Sequence, residues 1–224
     1  MSNDTITFLG CGSWGAALGS VLENKGLNVR FWHRNPKTVS YMQASRKHYL
    51  MPNVKFGQKV SFHSDIKEAI VGSKNIVLAI PSQNVREIMS EIKNSIDPSI
   101  YIINVAKGIE RETLKTVSEV VFDVTKDLSN FVTVSGPSHA EEVLANTPTA
   151  IVSASKNISA ADFVQKLFST NKLRVYTNND LIGVEIGGSA KNVIAIAAGF
   201  CDGFGYGDNT KSALMTRGIK ELSK

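Results

Sequence analysis

The chain has 224 residues, 42% of them hydrophobic, with a formal net charge of +5 and a pI of about 9.1. That length holds one large domain or one and a half, and the apolar share excludes a disordered chain. The positive balance suits a small polyanionic ligand, but with no basic run and no aromatic-basic alternation it makes no case for nucleic acid. The two cysteines, Cys11 in a glycine turn and Cys201 beside Gly203, argue against a structural disulfide and for a reducing compartment. Met1, Ser2, Asn3 and Asp4 lack a charged leader, and no run reaches about 18 apolar residues, so neither a signal peptide nor a membrane span is expected.

In chain order, Thr5-Ile6-Thr7-Phe8-Leu9 reads as a buried strand and residues 16–23 as a helix. Between them lies Gly10-Cys11-Gly12-Ser13-Trp14-Gly15, a pattern that gains weight from this strand-turn-helix setting. Gly10 allows the tight turn, Gly12 lets the backbone approach a pyrophosphate, and Gly15 lets helix and strand pack closely. The free N–H groups at the helix start then face an anion. The next strand, residues 28–32, ends at His33-Arg34, where a site for NAD usually carries an acid for the ribose 2′-hydroxyl. A cation there can accept a 2′-phosphate, and Arg can stack on adenine, so the pair favours NADP over NAD without excluding either. A solvated basic turn is the alternative.

Residues 36–48 read as a helix ending in a polar, mobile stretch, Arg46-Lys47-His48, and Pro52 marks a loop. Residues 60–62 form a short strand, and Asp65 caps a helix through Ile70. Residues 75–80 are almost unbroken in their apolar character, the mark of a parallel strand covered on both faces, and they stop at Pro81-Ser82. A helix follows from Val85 to Lys93, then a strand at residues 101–105 that runs into Ala106-Lys107-Gly108. Ligands of doubly wound sheets lie beyond the carboxyl ends of the strands, so Lys107 points a cation into the crevice unless it is a plain surface lysine. A helix is expected over residues 113–124 and a strand over 131–135, ending in Gly136-Pro137-Ser138-His139-Ala140. The helix expected over residues 138–145 offers a second N-terminus to an anion, whereas His139 reads as a packed or exposed helix residue. Strands at residues 148–152 and 173–176, with a helix over 160–168 between them, extend the sheet. The pattern breaks at Asn178-Asn179-Asp180, which sets domains at 1–178, dinucleotide-binding, and 179–224, helical.

The segment 181–199 is helical despite Gly183, Gly187 and Gly188, each costing about 1 kcal/mol relative to alanine. A helix tolerates this where a backbone or ligand must come close. On a helical wheel Val184, Gly187, Gly188, Lys191 and Ala195 share one side, so Lys191 is a cation among small and apolar groups. Such surroundings bring a lysine toward proton transfer near neutral pH; a snorkelling surface lysine is the alternative.

These motifs, with Glu141-Glu142-Val143, Gly183-Val184-Glu185-Ile186-Gly187-Gly188, Lys191-Asn192-Val193, Gly207-Asp208-Asn209-Thr210-Lys211 and Thr216-Arg217-Gly218, resemble NAD(P)-dependent glycerol-3-phosphate dehydrogenases of the bacterial type over essentially the whole chain. The resemblance implies an α/β fold, a Rossmann-like doubly wound sheet followed by the start of an all-helical domain. It implies reduction of dihydroxyacetone phosphate to sn-glycerol 3-phosphate in the cytoplasm, at the entry to phospholipid synthesis, with no metal and with a homodimer as one arrangement. By the same resemblance Ser13, Trp14, His33 and Arg34 bind the coenzyme beside Gly10, Gly12 and Gly15, and Lys107 lies between coenzyme and substrate. Gly136, Ser138, Lys191 and Asn192 hold substrate, Ala140 touches the nicotinamide carboxamide, and Lys191 is the general acid.

Family members continue for roughly another hundred residues, including a further Gly-Asp and a Ser-Arg-Asn segment absent here. With about 45 residues in the second domain, and Ile194, Ile196 and Phe200 to cover, the expectation is a truncated form. The alternative to a dehydrogenase is therefore a dinucleotide-binding module without catalysis.

Overall fold

The structure is a computed structural model and describes residues 5–137 and 139–223. The chain alternates strand and helix: β1 (Thr5–Leu9), α1 (Ser13–Asn24), β2 (Asn28–Trp32), α2 (Pro36–Ser45), β3 (Val60–His63), α3 (Ile66–Ile70), β4 (Ser73–Leu78), α4 (Val85–Ile92), β5 (Tyr101–Asn104) and α5 (Val117–Thr125). It continues with β6 (Phe131–Ser135), α6 (Ala140–Leu144), β7 (Thr149–Ala154), α7 (Ile158–Phe168), β8 (Leu173–Asn178), α8 (Leu181–Gly203) and α9 (Asp208–Leu222). The eight strands form one sheet in the order β3-β2-β1-β4-β5-β6-β7-β8. Strands β1 to β6 run parallel and end at one edge, with the switch in strand order between β1 and β4. The ends of β1, β2, β4, β5 and β6 thus carry the glycine turn, His33, Ala79, Lys107 and Gly136 to a common rim. The two added strands follow the expectation, except that β7 runs antiparallel to β6 and β8 parallel to β7.

Both faces of the sheet are covered. One core joins α1 and α7 to Phe8, Phe31, Phe56, Phe62 and Val132; the other joins α3, α4 and α5 to Leu78, Ile102 and Phe131. Helix α4 shows why such elements form. Val85, Ile88, Met89 and Ile92 recur at spacings of three and four and are its buried residues. Helix α5 starts later than the sequence suggests, at Val117, because Leu114 sits at φ +56° and Thr116 with Glu119 builds a capping box.

The stretch 46–48 is not mobile. Arg46 donates to the carbonyls of Gly57 and Val60, Lys47 bridges to Lys55, and His48 is fully buried. Helix α8 is 23 residues long, and its most apolar window has a mean hydropathy of 1.4, enough by length and composition to cross a membrane. Its Glu185, Ser189 and Lys191 are bonded to the sheet domain. Beyond that docked half, Val193, Ile196, Phe200 and Phe204 are exposed, whereas Ile194 packs against Gly218 of α9.

Helix α1 lies close on β2 at Gly19, where a Cβ would enter the ring of the fully buried Phe31. Gly19→Ala overpacks that contact and is expected to cost about 1–3 kcal/mol, read as a lower urea midpoint with an unchanged slope.

Candidate functional site

The turn between β1 and α1 is shaped by its neighbours. Gly10 sits at φ +105°, and a Cβ there would collide with the carbonyl oxygen of Ala79 at the end of β4. A Cβ on Gly15 would lie 2.9 Å from the Ala79 methyl. Gly12 caps α1 in an extended conformation, and nothing stands within 4 Å of a Cβ built on it. No side chain caps α1 and no acid lies in its first turn, so its leading N–H groups face open space. Trp14 packs against Ala140 and Val143 of α6, and its buried indole N–H has no hydrogen-bond partner among the described residues. A pyrophosphate with a polar group beside it fits this cradle.

The turn opens into a groove of about 420 Å³. Gly10, Cys11 and Gly12 form its floor, Trp32, His33, Arg34 and Tyr49 one wall, and Pro81, Glu87 and Glu91 the other. Burial, and secondarily the Arg34 charge, hold His33 below the usual histidine range, and its ring meets Tyr49 edge-on at 5.2 Å. His48, unnoticed as a site residue in the sequence, braces the floor. Its Nδ1 accepts the N–H groups of Leu50 at 3.1 Å and Met51 at 3.0 Å, so Nε2–H donates to the Cys11 carbonyl at 2.9 Å. Burial lowers the His48 pKa and raises that of the Cys11 thiol, favouring the neutral form of each.

Two lysines converge on one acceptor further along the rim. Lys191 Nζ donates to the Gly136 carbonyl at 2.9 Å, and Lys107 Nζ donates to the same oxygen at 3.3 Å. Gly136 holds that oxygen at φ +148°, with a Cβ position only 3.0 Å from the Ile151 Cα. Burial first, then the neighbouring Lys191, lowers the Lys107 pKa to about 8. The lowered lysine pKa that the sequence led us to expect at Lys191 is found at Lys107. The Lys107 loop is itself fastened: Gln83 donates to the Ile109 carbonyl at 2.8 Å and accepts the Arg111 N–H at 3.0 Å.

Lys191 reaches the rim because α8 is docked. Asp180 caps it by accepting the Gly183 N–H at 2.9 Å, Leu181 enters the core, and Gly188 lets the helix lie against the Ser135 hydroxyl. Ser189 accepts the Gly108 N–H at 2.9 Å. Glu185, which sequence reasoning passed over, is the anchor. Its Oε1 accepts the Ser118 N–H at 3.0 Å and the Thr133 hydroxyl at 3.1 Å, and its Oε2 accepts the Ser118 hydroxyl at 2.6 Å. The signal available was a lone carboxylate between Val184 and Ile186 in an apolar stretch. The inward side of α8 is thus Leu181, Glu185, Gly188 and Lys191; Ala195 is exposed and nothing approaches Gly187, contrary to the helical-wheel grouping.

Other expected residues fare differently. Ser138 lies outside the described residues. Asn192 is exposed, next to Lys191 but turned from the buried side. The Ala140 methyl is buried against Ala17, leaving its backbone to face the rim as the first residue of α6. That helix has five residues with Glu141 and Glu142 in its first turn, so the expected anion-binding N-terminus over residues 138–145 is not formed. His139 is exposed, as expected, with Nδ1 3.6 Å from Glu141. Among the described residues no group of three or more His, Cys, Asp or Glu side chains could hold a metal.

Comparison with known proteins agrees with this geometry. A family model for the NAD-dependent glycerol-3-phosphate dehydrogenase N-terminus matches residues 5–161, and one for the C-terminus matches residues 180–224. A glycerol-3-phosphate dehydrogenase [NAD(P)+] of Clostridium tetani is 48% identical over 218 residues, covering 97% of this chain and 62% of the relative. One from Thermoanaerobacter sp. (strain X514) is 45% identical over 220 residues, covering 98% of this chain and 66% of the relative. A crystal structure of glycerol-3-phosphate dehydrogenase from Coxiella burnetii superposes with a TM-score of 0.92 at 36% identity, covering 99% of this chain and 68% of that one. The chain therefore spans a little under two thirds of the length of these curated relatives. With a dinucleotide cradle, a paired-lysine rim and both family models in one sequence, the chain belongs to the NAD-dependent glycerol-3-phosphate dehydrogenase family.

Proposed function

We propose that this chain binds NAD(P)H in the groove beyond β1, β2 and β4 and reduces dihydroxyacetone phosphate to sn-glycerol 3-phosphate. The observation that carries the reading is the meeting of Lys107 and Lys191 at the Gly136 carbonyl, on the rim that also holds the glycine turn. A bound reduced nicotinamide supplies a hydride. The chain supplies the rest: Lys191 gives a proton to the ketone oxygen as it becomes an alcohol, and the two cations draw in the phosphate and polarise the carbonyl. Gly136, Ser138 and Asn192 hold substrate beside them. The leading N–H groups of α1, with Ser13 and Trp14, hold the pyrophosphate, and the backbone of Ala140, lacking a helical partner for its N–H, meets the carboxamide.

The same reading divides the chain at 178/179, between β8 and α8, and puts the reaction in the cytoplasm as a supply of glycerol phosphate for phospholipid synthesis, with a homodimer as its assembly. It favours NADPH, because Arg34 stands where a 2′-phosphate would arrive; Glu87 and Glu91 across the groove oppose that charge and keep NADH usable. A second reading, a dinucleotide-binding module without turnover, draws on the exposed apolar side of α8 next to the rim.

Following NADPH oxidation at 340 nm with dihydroxyacetone phosphate decides between them. Lys191→Ala is expected to lose 10²–10⁴-fold in kcat while NADPH still quenches tryptophan fluorescence. Saturable quenching without turnover in the parent chain would instead leave the binding module. Arg34→Glu is expected to weaken NADPH about tenfold or more and to leave NADH nearly unchanged, by the same fluorescence titration. A lysine with a lowered pKa loses its charge as pH rises through that value, so kcat/KM is expected to be flat below about pH 8 and to fall about tenfold per unit above it. A profile flat to pH 10 would remove Lys107 from the mechanism.

A further inference from the structure

We propose that Glu185 is the positioning residue of the lysine pair, fixing Lys191 through the backbone of α8 and Lys107 through a relay of Thr133, Asn104 and Ala106. The proposal rests on the pair being the reactive centre. Each link follows from donor and acceptor capacity. The Thr133 hydroxyl donates to Glu185 Oε1 at 3.1 Å and accepts from Asn104 Nδ2 at 3.2 Å. Asn104, the last residue of β5, then accepts the Ala106 N–H on its Oδ1 at 2.9 Å. That closes the turn immediately before Lys107.

A second path runs in parallel. The Ser189 hydroxyl donates to the Glu185 carbonyl at 2.8 Å and accepts the Gly108 N–H at 2.9 Å, gripping the residue immediately after Lys107. Lys107 is therefore held on both sides by contacts that start at Glu185. Lys191 lies six residues further along the same helix, so any shift of Glu185 moves its ammonium with it. Glu185, Thr133 and Asn104 are 7%, 1% and 0% exposed, so no water competes for these bonds. The carboxylate is matched to its place: it caps the start of α5, a nine-residue helix, where a negative charge is favoured. Burial raises its pKa, and the hydrogen bonds from Ser118, Thr116 and Thr133 act the other way.

Lys191 is a charged group facing Lys107 and lowers its pKa together with burial, so that pKa reports how close and how dry the pair is held. The test follows labelling of Lys107 by trinitrobenzenesulfonate as a function of pH, quantified by peptide mass spectrometry with exposed Lys172 as the internal reference. The parent chain is expected to show a Lys107 midpoint near pH 8. Thr133→Val cuts the relay and leaves the bonds between Glu185 and Ser118. It is expected to raise the midpoint by a unit or more, and Glu185→Ala to do the same. Glu185→Gln, which keeps a carbonyl acceptor for Thr133, is expected to return the midpoint toward 8.

If Thr133→Val and Glu185→Ala lower the melting temperature but leave the midpoint unmoved, Glu185 only stabilises the fold and the proposal fails. Should Glu185→Ala not fold, Thr133→Val decides alone. The readout needs no turnover, so a chain without dehydrogenase activity overturns the reading of the reaction and leaves this result to stand or fall separately.

Discussion

Two ammonium groups bonded to one carbonyl oxygen set the terms for the whole rim. Like charges at about 4 Å repel by about 4 kcal/mol at an effective dielectric of 20, so such a pair holds only if the backbone beneath it cannot give way. The Gly136 oxygen offers the shared acceptor, at a backbone angle open to glycine and against a neighbouring strand that leaves no room for a side chain. Lys107 is delivered by the end of β5 and Lys191 by α8. The repulsion is met by a firmly docked helix, capped at Asp180, inserted at Leu181 and bonded through a buried carboxylate at Glu185. The same repulsion, added to burial, gives Lys107 its lowered proton affinity.

The groove and the lysine rim obey one architectural rule. Six parallel strands finish at the same edge, and the switch between β1 and β4 opens the crevice where the glycine turn lies. The turn is stiffened from below by a histidine held in one tautomer, which ties the floor of the groove to the loop before β3. The groove is lined by charges of both signs, Arg34 as well as Glu87 and Glu91.

What the sequence disclosed was what depends on neighbours in sequence. The roles of Gly10 and Gly15 followed from a strand and a helix six residues apart, and both glycines do meet Ala79. The helix through Ile70 was announced by Asp65, which caps it. Glu185 stayed hidden because its partners are 67 and 52 residues away, and nothing local distinguishes it from an ordinary helix acid. His48 was hidden likewise, since its acceptor lies 37 residues back. The start of α5 was misread because Leu114 adopts a left-handed angle that no propensity signals. The direction of β7 was not legible, because an apolar strand reads the same both ways. Position on the rim was legible for Lys107; for Lys191 it came from resemblance, and the lowered proton affinity of Lys107 required three dimensions, because burial and a lysine 84 residues away produce it.

The distance along the chain between the acceptor and its second lysine, 55 residues, has a consequence for synthesis. A ribosome delivers the glycine turn, Lys107 and Gly136 first, and the sheet through β8 can close before residue 191 has emerged. During that interval the nascent chain has the glycine turn and only one of the two cations, with Ser118 and Thr133 still awaiting their carboxylate. The lysine pair is therefore completed only after the sheet beneath it. A polypeptide released early has the glycine turn, but it cannot yet bring both cations to the carbonyl where they meet.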